Sequence, residues 1–235
     1  KSAGDIKYHK MGYFYAEEDL YARIGSACGT TGSRHPATYL LEAADDISYR
    51  TADIEDAFRK GHYTYAELRS ALDLERGRVC RDSAAEAGYG RQLERLDQLL
   101  ARGQKERVNK PELFAVQNWI VAMQSELLGH AAASFCDHYD QVMDGRYTKD
   151  LLAGTPGEPL IDALGNIASD YVFNSRRIIQ LEVATNTIIG GLLDKFVPAV
   201  LEWGTGSAQS SLEPRLISMI SDNYRSSYEV YSEGK

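Results

Sequence analysis

The sequence predicts an all-α fold, and three observations carry that reading. Pro36 to Lys60 and Glu112 to Met143 both place apolar residues at three- and four-residue spacing, the period of one face of a helix. The clearest Gly/Pro punctuation, Gly154-Thr155-Pro156-Gly157-Glu158-Pro159, falls between such segments. With 235 residues, 43% of them hydrophobic, the chain can bury a substantial core.

In chain order, Ala16 to Ala27 is predicted helical, with Glu17, Glu18 and Asp19 in the first turn where the helix dipole favours anions. Cys28 to Arg34 is a turn-rich connector; its two glycines lack the Gly-Lys-Ser/Thr ending of a phosphate loop. Pro36 suits a first helical turn and Gly61 the position just past a helix end, so Pro36 to Lys60 reads as one helix. Leu40, Leu41, Ala44, Ile47, Thr51, Ile54 and Phe58 form its expected buried stripe, and His35 before it suits a capping or surface role. Tyr65 to Leu72 and Ser83 to Arg102 read as further helices. Glu112 to Met143 supplies core through Val116, Ile120, Met123, Leu127, Ala131 and Phe135. Leu160 to Val172 and Arg176 to Trp203 follow as neighbouring helices, Pro198 kinking or ending the second. Gly204 to Ser211 is a Gly/Ser-rich linker; beyond it Tyr224, Tyr228 and Tyr231 recur at helical spacing, as packing residues.

The helix from Pro36 carries the sequence's most informative pattern. Asp45, Tyr49 and Asp53 stand at i, i+4 and i+8, which stacks carboxylate, phenol and carboxylate along one face. Asp45 and Asp46 are adjacent in mid-helix, where Asp is a poor helix former, and Glu42 one turn earlier adds like-charge repulsion. A nearby cation relieves that repulsion, and a divalent metal keeps such carboxylates ionised. The ordinary alternative for such a column is a solvated face.

Composition limits the function classes. A net charge of −8 argues against a general nucleic-acid grip, which relies on Lys and Arg. Three cysteines without paired spacing and no apolar run approaching a membrane span predict a reduced, cytoplasmic chain with no structural zinc.

The block Arg34-His35-Pro36-Ala37-Thr38-Tyr39-Leu40-Leu41-Glu42-Ala43-Ala44-Asp45-Asp46-Ile47-Ser48-Tyr49 resembles the signature of the bacterial dGTP triphosphohydrolases, a branch of the HD-domain phosphohydrolases. Lys1-Ser2-Ala3-Gly4 and Lys10-Met11-Gly12-Tyr13-Phe14 resemble two further elements of that family. The resemblance implies a multi-helix HD-domain-like fold and hydrolysis of dGTP, or of dNTPs more broadly, to the deoxynucleoside and tripolyphosphate. It implies a divalent metal, magnesium or manganese, anchored in part by Asp45, with activated water attacking the α-phosphate. Asp46 does not fit the family pattern, because its +4 partner is Arg50. By the same resemblance Lys1 and Lys10 contact the phosphates, Tyr49 packs on the sugar and excludes a 2′-hydroxyl, and Asp53 accepts from the 3′-hydroxyl. Glu182 matches a position near the nucleotide pocket, and Arg215 one whose arginine reaches a neighbouring subunit's substrate site. Relatives in the family imply a homo-oligomer, a hexamer in many, and single-stranded DNA as an effector.

Two features depart from that pattern. None of the five histidines is followed by Asp, so the H…HD ligands and the catalytic residues are expected upstream, and the family's C-terminal Gly-Met-Thr-Asp ending is absent. The chain is therefore expected to be a C-terminal-side fragment: residues 1–60 as part of the catalytic core, 61–203 as a helical scaffold, 204–235 as linker and last helix. The competing expectation is a helical nucleotide-sensing or interaction scaffold that lacks the catalytic set.

Overall fold

The computed structural model describes residues 12–174, 176–203 and 212–232, and among them only helices, turns and loops occur. Lys1, Lys10 and the whole of the expected Gly204 to Ser211 linker lie outside the described residues. A 3-10 turn, Tyr15–Glu17, leads into α1 (Glu18–Ala27), followed by α2 (Pro36–Arg59), α3 (Tyr65–Val79), α4 (Ser83–Lys105), α5 (Pro111–Asp137), α6 (Tyr139–Met143) and α7 (Glu158–Ala168). A π-helical turn, Ser169–Phe173, continues α7, and α8 (Arg176–Glu202), α9 (Glu213–Met219) and α10 (Asp222–Ser232) complete the order. The chain divides into two compact units, Lys1–Asn174 and Ser175–Lys235. Among the described residues no helix is long and apolar enough to cross a membrane.

In the first unit α2 packs against α5 and α7, α4 against α5, and α3 against α7. The core they enclose includes Ile47, Ile54, Leu72, Trp119, Met123 and Leu164, all essentially without solvent exposure. Burying such side chains contributes about 1.5–3 kcal/mol each.

The ends of α2 follow from local chemistry. His35 Nδ1 accepts from the Ala37 N–H at 3.2 Å, and Pro36 enters the first turn. At the other end Gly61, at φ +72°, donates to Phe58 O at 3.0 Å, and His62 N–H reaches Ala57 O at 3.0 Å. That is a Schellman closure, which needs a residue tolerant of the left-handed region at Gly61.

The buried stripe of α2 differs from the expected one at its start. Ile47, Thr51 and Ile54 are buried as expected, and Ala44 and Phe58 are half-buried, but Leu40 and Leu41 are 44% and 70% exposed. Tyr39 and Glu42 take the inward positions instead. Tyr39 does so because its hydroxyl donates to Tyr147 O at 2.6 Å. Glu42 does so because it forms a buried ion pair with Arg34, whose guanidinium also lies 5.0 Å from the Tyr39 ring centroid. Glu42 is thus held by a cation rather than facing Asp45 and Asp46 as an uncompensated like charge.

Farther along, Thr51 Oγ1 donates to Ile47 O and accepts from Gln124 Nε2, both at 2.7 Å, which ties α2 to α5. α5 breaks at His138, so the Glu112 to Met143 segment is two helices rather than one. α3 extends to Val79, past the expected Leu72, and Pro198 sits inside α8 without ending it. In the second unit Trp203 stacks on Tyr228, ring centroids 4.6 Å apart, while Tyr224 is 75% exposed.

Candidate active site

Asp45, Tyr49 and Asp53 line a single open cleft of about 620 Å³ together with Asp46 and Arg50 of α2. The opposite wall is Asp162, Gly165, Asn166 and Ala168 of α7, and Phe173 of the π-helical turn. A cleft of this size is in the range that holds a nucleotide-sized ligand. The i, i+4, i+8 spacing has become a row of three side chains along one wall because α2 runs unbroken past the cleft.

The three members differ in environment. Asp45 is exposed and Tyr49 is 58% exposed, so both face a ligand's approach. Asp53 is half-buried, and its Oδ2 is buried with no hydrogen-bond partner. Burial, then the neighbouring Asp56, pushes the Asp53 carboxyl above the usual carboxylate range, against the pull of Lys60. Tyr63, whose hydroxyl donates to Ile54 O at 2.6 Å, is pushed well above the ordinary phenol value by burial and by Asp53. A buried acceptor without a donor costs free energy, and a ligand hydroxyl would supply the missing bond.

The far wall is anchored from behind. Asn166 Nδ2 donates to Glu75 Oε2 at 2.6 Å, and the buried Glu75 also accepts from Arg78 Nη1 at 2.7 Å. Arg50 crosses from α2 to α7, where Nη1 donates to Ile161 O at 2.7 Å and stands 3.6 Å from Asp162 Oδ1. Burial raises the Asp162 carboxyl, and Arg50 partly offsets it. Arg50, Asp162, Asn166 and Phe173 were not singled out by the sequence pattern, because nothing local marks a residue of α7 as the partner of α2.

Glu182 and Arg215 are exposed residues of the second unit, on α8 and in the first turn of α9. Lys1 and Lys10 lie outside the described residues. Among the described residues no group of three or more His, Cys, Asp or Glu side chains is placed to hold a metal ion. His138 Nδ1 lies 2.8 Å from Ser134 O, and His130 lies beside Glu126, so these two histidines serve α5 locally. The described residues therefore do not make up a metal site by themselves.

The comparison with known proteins falls on the same family as the signature block. No family model matches the chain. The deoxyguanosinetriphosphate triphosphohydrolase-like protein of Listeria monocytogenes is 33% identical over 233 residues, 98% of this chain and 48% of the relative. The deoxyguanosinetriphosphate triphosphohydrolase of Serratia proteamaculans is 30% identical over 236 residues, 96% of this chain and 46% of the relative. The probable enzyme of that name in Pseudomonas aeruginosa is 30% identical over 197 residues, 80% of this chain and 39% of the relative. The chain spans about half the length of the curated relatives it matches, and over that span it belongs to the deoxyguanosinetriphosphate triphosphohydrolase family.

Proposed function

We propose that this chain is part of a deoxynucleoside triphosphate triphosphohydrolase that cleaves dGTP, or dNTPs more broadly through the same sugar recognition, to the deoxynucleoside and tripolyphosphate. The observation that supports this most directly is the shared cleft: Asp45, Tyr49 and Asp53, the three α2 positions matched by the family signature, line it together.

In this reading Tyr49 presents its ring to the deoxyribose and leaves no room for a 2′-hydroxyl, which sets the preference for dGTP over GTP. Asp53 accepts from the 3′-hydroxyl, a bond that satisfies its buried Oδ2. Lys1 and Lys10 bind the phosphates, Glu182 receives N–H donors of the guanine edge, and Arg215 reaches the substrate of a neighbouring subunit in a homo-oligomer. A divalent metal, magnesium or manganese, when bound in part by Asp45, would activate water as the nucleophile at neutral pH and polarise the phosphoryl oxygen. Asp45 is its one proposed anchor in this chain, and the remaining anchors lie outside the described residues. The protein acts in the cytoplasm, with single-stranded DNA as a proposed effector.

The test is chromatographic detection of tripolyphosphate from dGTP with manganese or magnesium, using the longest polypeptide that carries this sequence beside the 235-residue chain. Release by the longer polypeptide, lost in Asp45→Ala, is the expected result. Absence of release from both, with dNTP binding retained, favours a second reading, a catalytically incomplete nucleotide-sensing scaffold. That reading draws on the absence of any His-Asp pair in the sequence.

A further inference from the structure

The side chain beside Tyr49 does something the column does not. Arg50 leaves α2 about 100° around the helix from Tyr49 and reaches across to α7 beside the cleft. Its Nη1 donates to Ile161 O at 2.7 Å and lies 3.6 Å from Asp162 Oδ1. Gly165 stands over this crossing: a Cβ there would be 3.1 Å from Nη1 and 3.4 Å from Cζ of Arg50. A side chain at 165 would press on the guanidinium and require it to shift by a few tenths of an ångström. Arg50 is also the one Lys or Arg among the described residues that line the cleft, where Asp45, Asp46, Asp53 and Asp162 all bring carboxylates.

We infer that Arg50, seated under Gly165, is a positioning residue that fixes the spacing between the Tyr49 and Asp53 wall and the α7 wall, and so sets the width of the slot that admits the sugar. The inference rests on the reading of this cleft as a deoxynucleoside triphosphate site and goes beyond it by naming what holds the slot's dimension. Three features carry it. The donor reaches a main-chain carbonyl of α7, so it registers one helix against the other, not merely one side chain against another. Arg50 lines a second pocket together with Asp46 and Asp162, and it offsets the raised carboxyl of Asp162, so the same cation that ties the walls also tempers the negative charge there. The α7 segment it holds runs directly into the π-helical turn that supplies Phe173 to the far wall. With both its partners on α7, Arg50 acts on a substrate through the wall it holds.

The experiment uses the full-length protein and four forms: unmodified, Arg50→Met, Arg50→Lys and Gly165→Ala. KM and kcat for dGTP, the dGTP:GTP ratio of kcat/KM, and the rise in thermal midpoint on adding dGTP are measured for each. Arg50→Met and Gly165→Ala are expected to raise KM for dGTP about tenfold and to narrow the dGTP:GTP ratio by a similar factor, since small misplacement of a positioning wall is costly. Arg50→Lys, which keeps the charge but not the planar reach, is expected to restore part of the ratio. A lowered midpoint with KM and ratio unchanged in both Arg50→Met and Gly165→Ala would overturn the inference and leave the site reading intact. If Arg50→Met does not fold, Arg50→Lys decides in its place, because it adds nothing to the cleft wall: an unchanged KM and dGTP:GTP ratio in Arg50→Lys would then overturn the inference. An unmodified protein that neither binds nor turns over dGTP overturns the site reading, and this inference with it, before any variant is considered.

Discussion

Arg34 and Glu42 show what a single pair can do to a helix's register. Both are buried, and Glu42 Oε1 has no hydrogen-bond partner, so the charge on each depends on the other. Removing one member leaves a buried charge without compensation: Arg34→Met is expected to cost about 3 kcal/mol or more in urea denaturation, and the double variant Arg34→Met, Glu42→Leu less than that single change. Additive losses would mean that the pair does not act as a unit. Asp53 poses the opposite case. Its carboxyl is raised by burial, so between the unfolded value and the higher folded one the native state holds a proton that the unfolded chain has lost. Stability therefore falls as pH rises through that acidic window, and Asp53→Asn should flatten the slope of midpoint against pH there while weakening dGTP binding. An unchanged slope would show that Asp53 is not desolvated. The column itself was legible because i, i+4, i+8 spacing is a purely local fact about a helix. Glu42 was not, because its partner Arg34 reaches it across the loop that precedes the helix, and spacing on α2 alone makes Glu42 look like one more repelling carboxylate.

At the scale of elements, the helices were legible wherever Gly, Pro and apolar period agree, and misjudged wherever packing extends or breaks a pattern. Gly61 and Gly77 separate those two influences. A Cβ at either position would meet nothing within 4 Å, yet Gly61 holds φ +72° as the closing residue of α2, and Gly77 is an exposed helical residue near the end of α3. Gly61→Ala is thus expected to destabilise by about 1 kcal/mol through the left-handed backbone, and Gly77→Ala to stabilise by roughly 0.5–1 kcal/mol through helix propensity. Opposite signs in thermal or urea unfolding check the pair; equal signs would contradict the assignment of the two helix ends. α3 ran past its expected Leu72 because the sequence beyond it keeps an inward position at Glu75, which Arg78 and Asn166 satisfy. No apolar-periodicity rule finds that residue. The break of α5 at His138 has the same character: the His138 backbone N–H still reaches Ser134 O at 3.1 Å while its φ and ψ leave the helical region.

At the scale of the molecule, the all-α class followed from composition and period, and the family followed from one block of residues, but neither could indicate how unevenly the two units bury their apolar surface. The first unit has a closed core around Trp119 and Ile54. The second is dominated by α8, where Leu181, Ile188 and Leu192, spaced by seven and four residues along one face, are 55%, 59% and 45% exposed, and Val183 and Leu193 are exposed as well. A helix apolar on more than one side is ordinarily buried on more than one side, and contiguous exposed apolar surface of that kind drives association. The 235-residue chain is therefore expected to self-associate with rising concentration in sedimentation velocity. The combined change Leu181→Gln, Ile188→Gln and Leu192→Gln should return it toward a monomer without altering the helical circular dichroism of the first unit, since glutamine keeps helix propensity while removing the apolar face. A chain that stays monomeric at every concentration, before any substitution, would show that α8 is covered in solution and that its apolar face needs no partner.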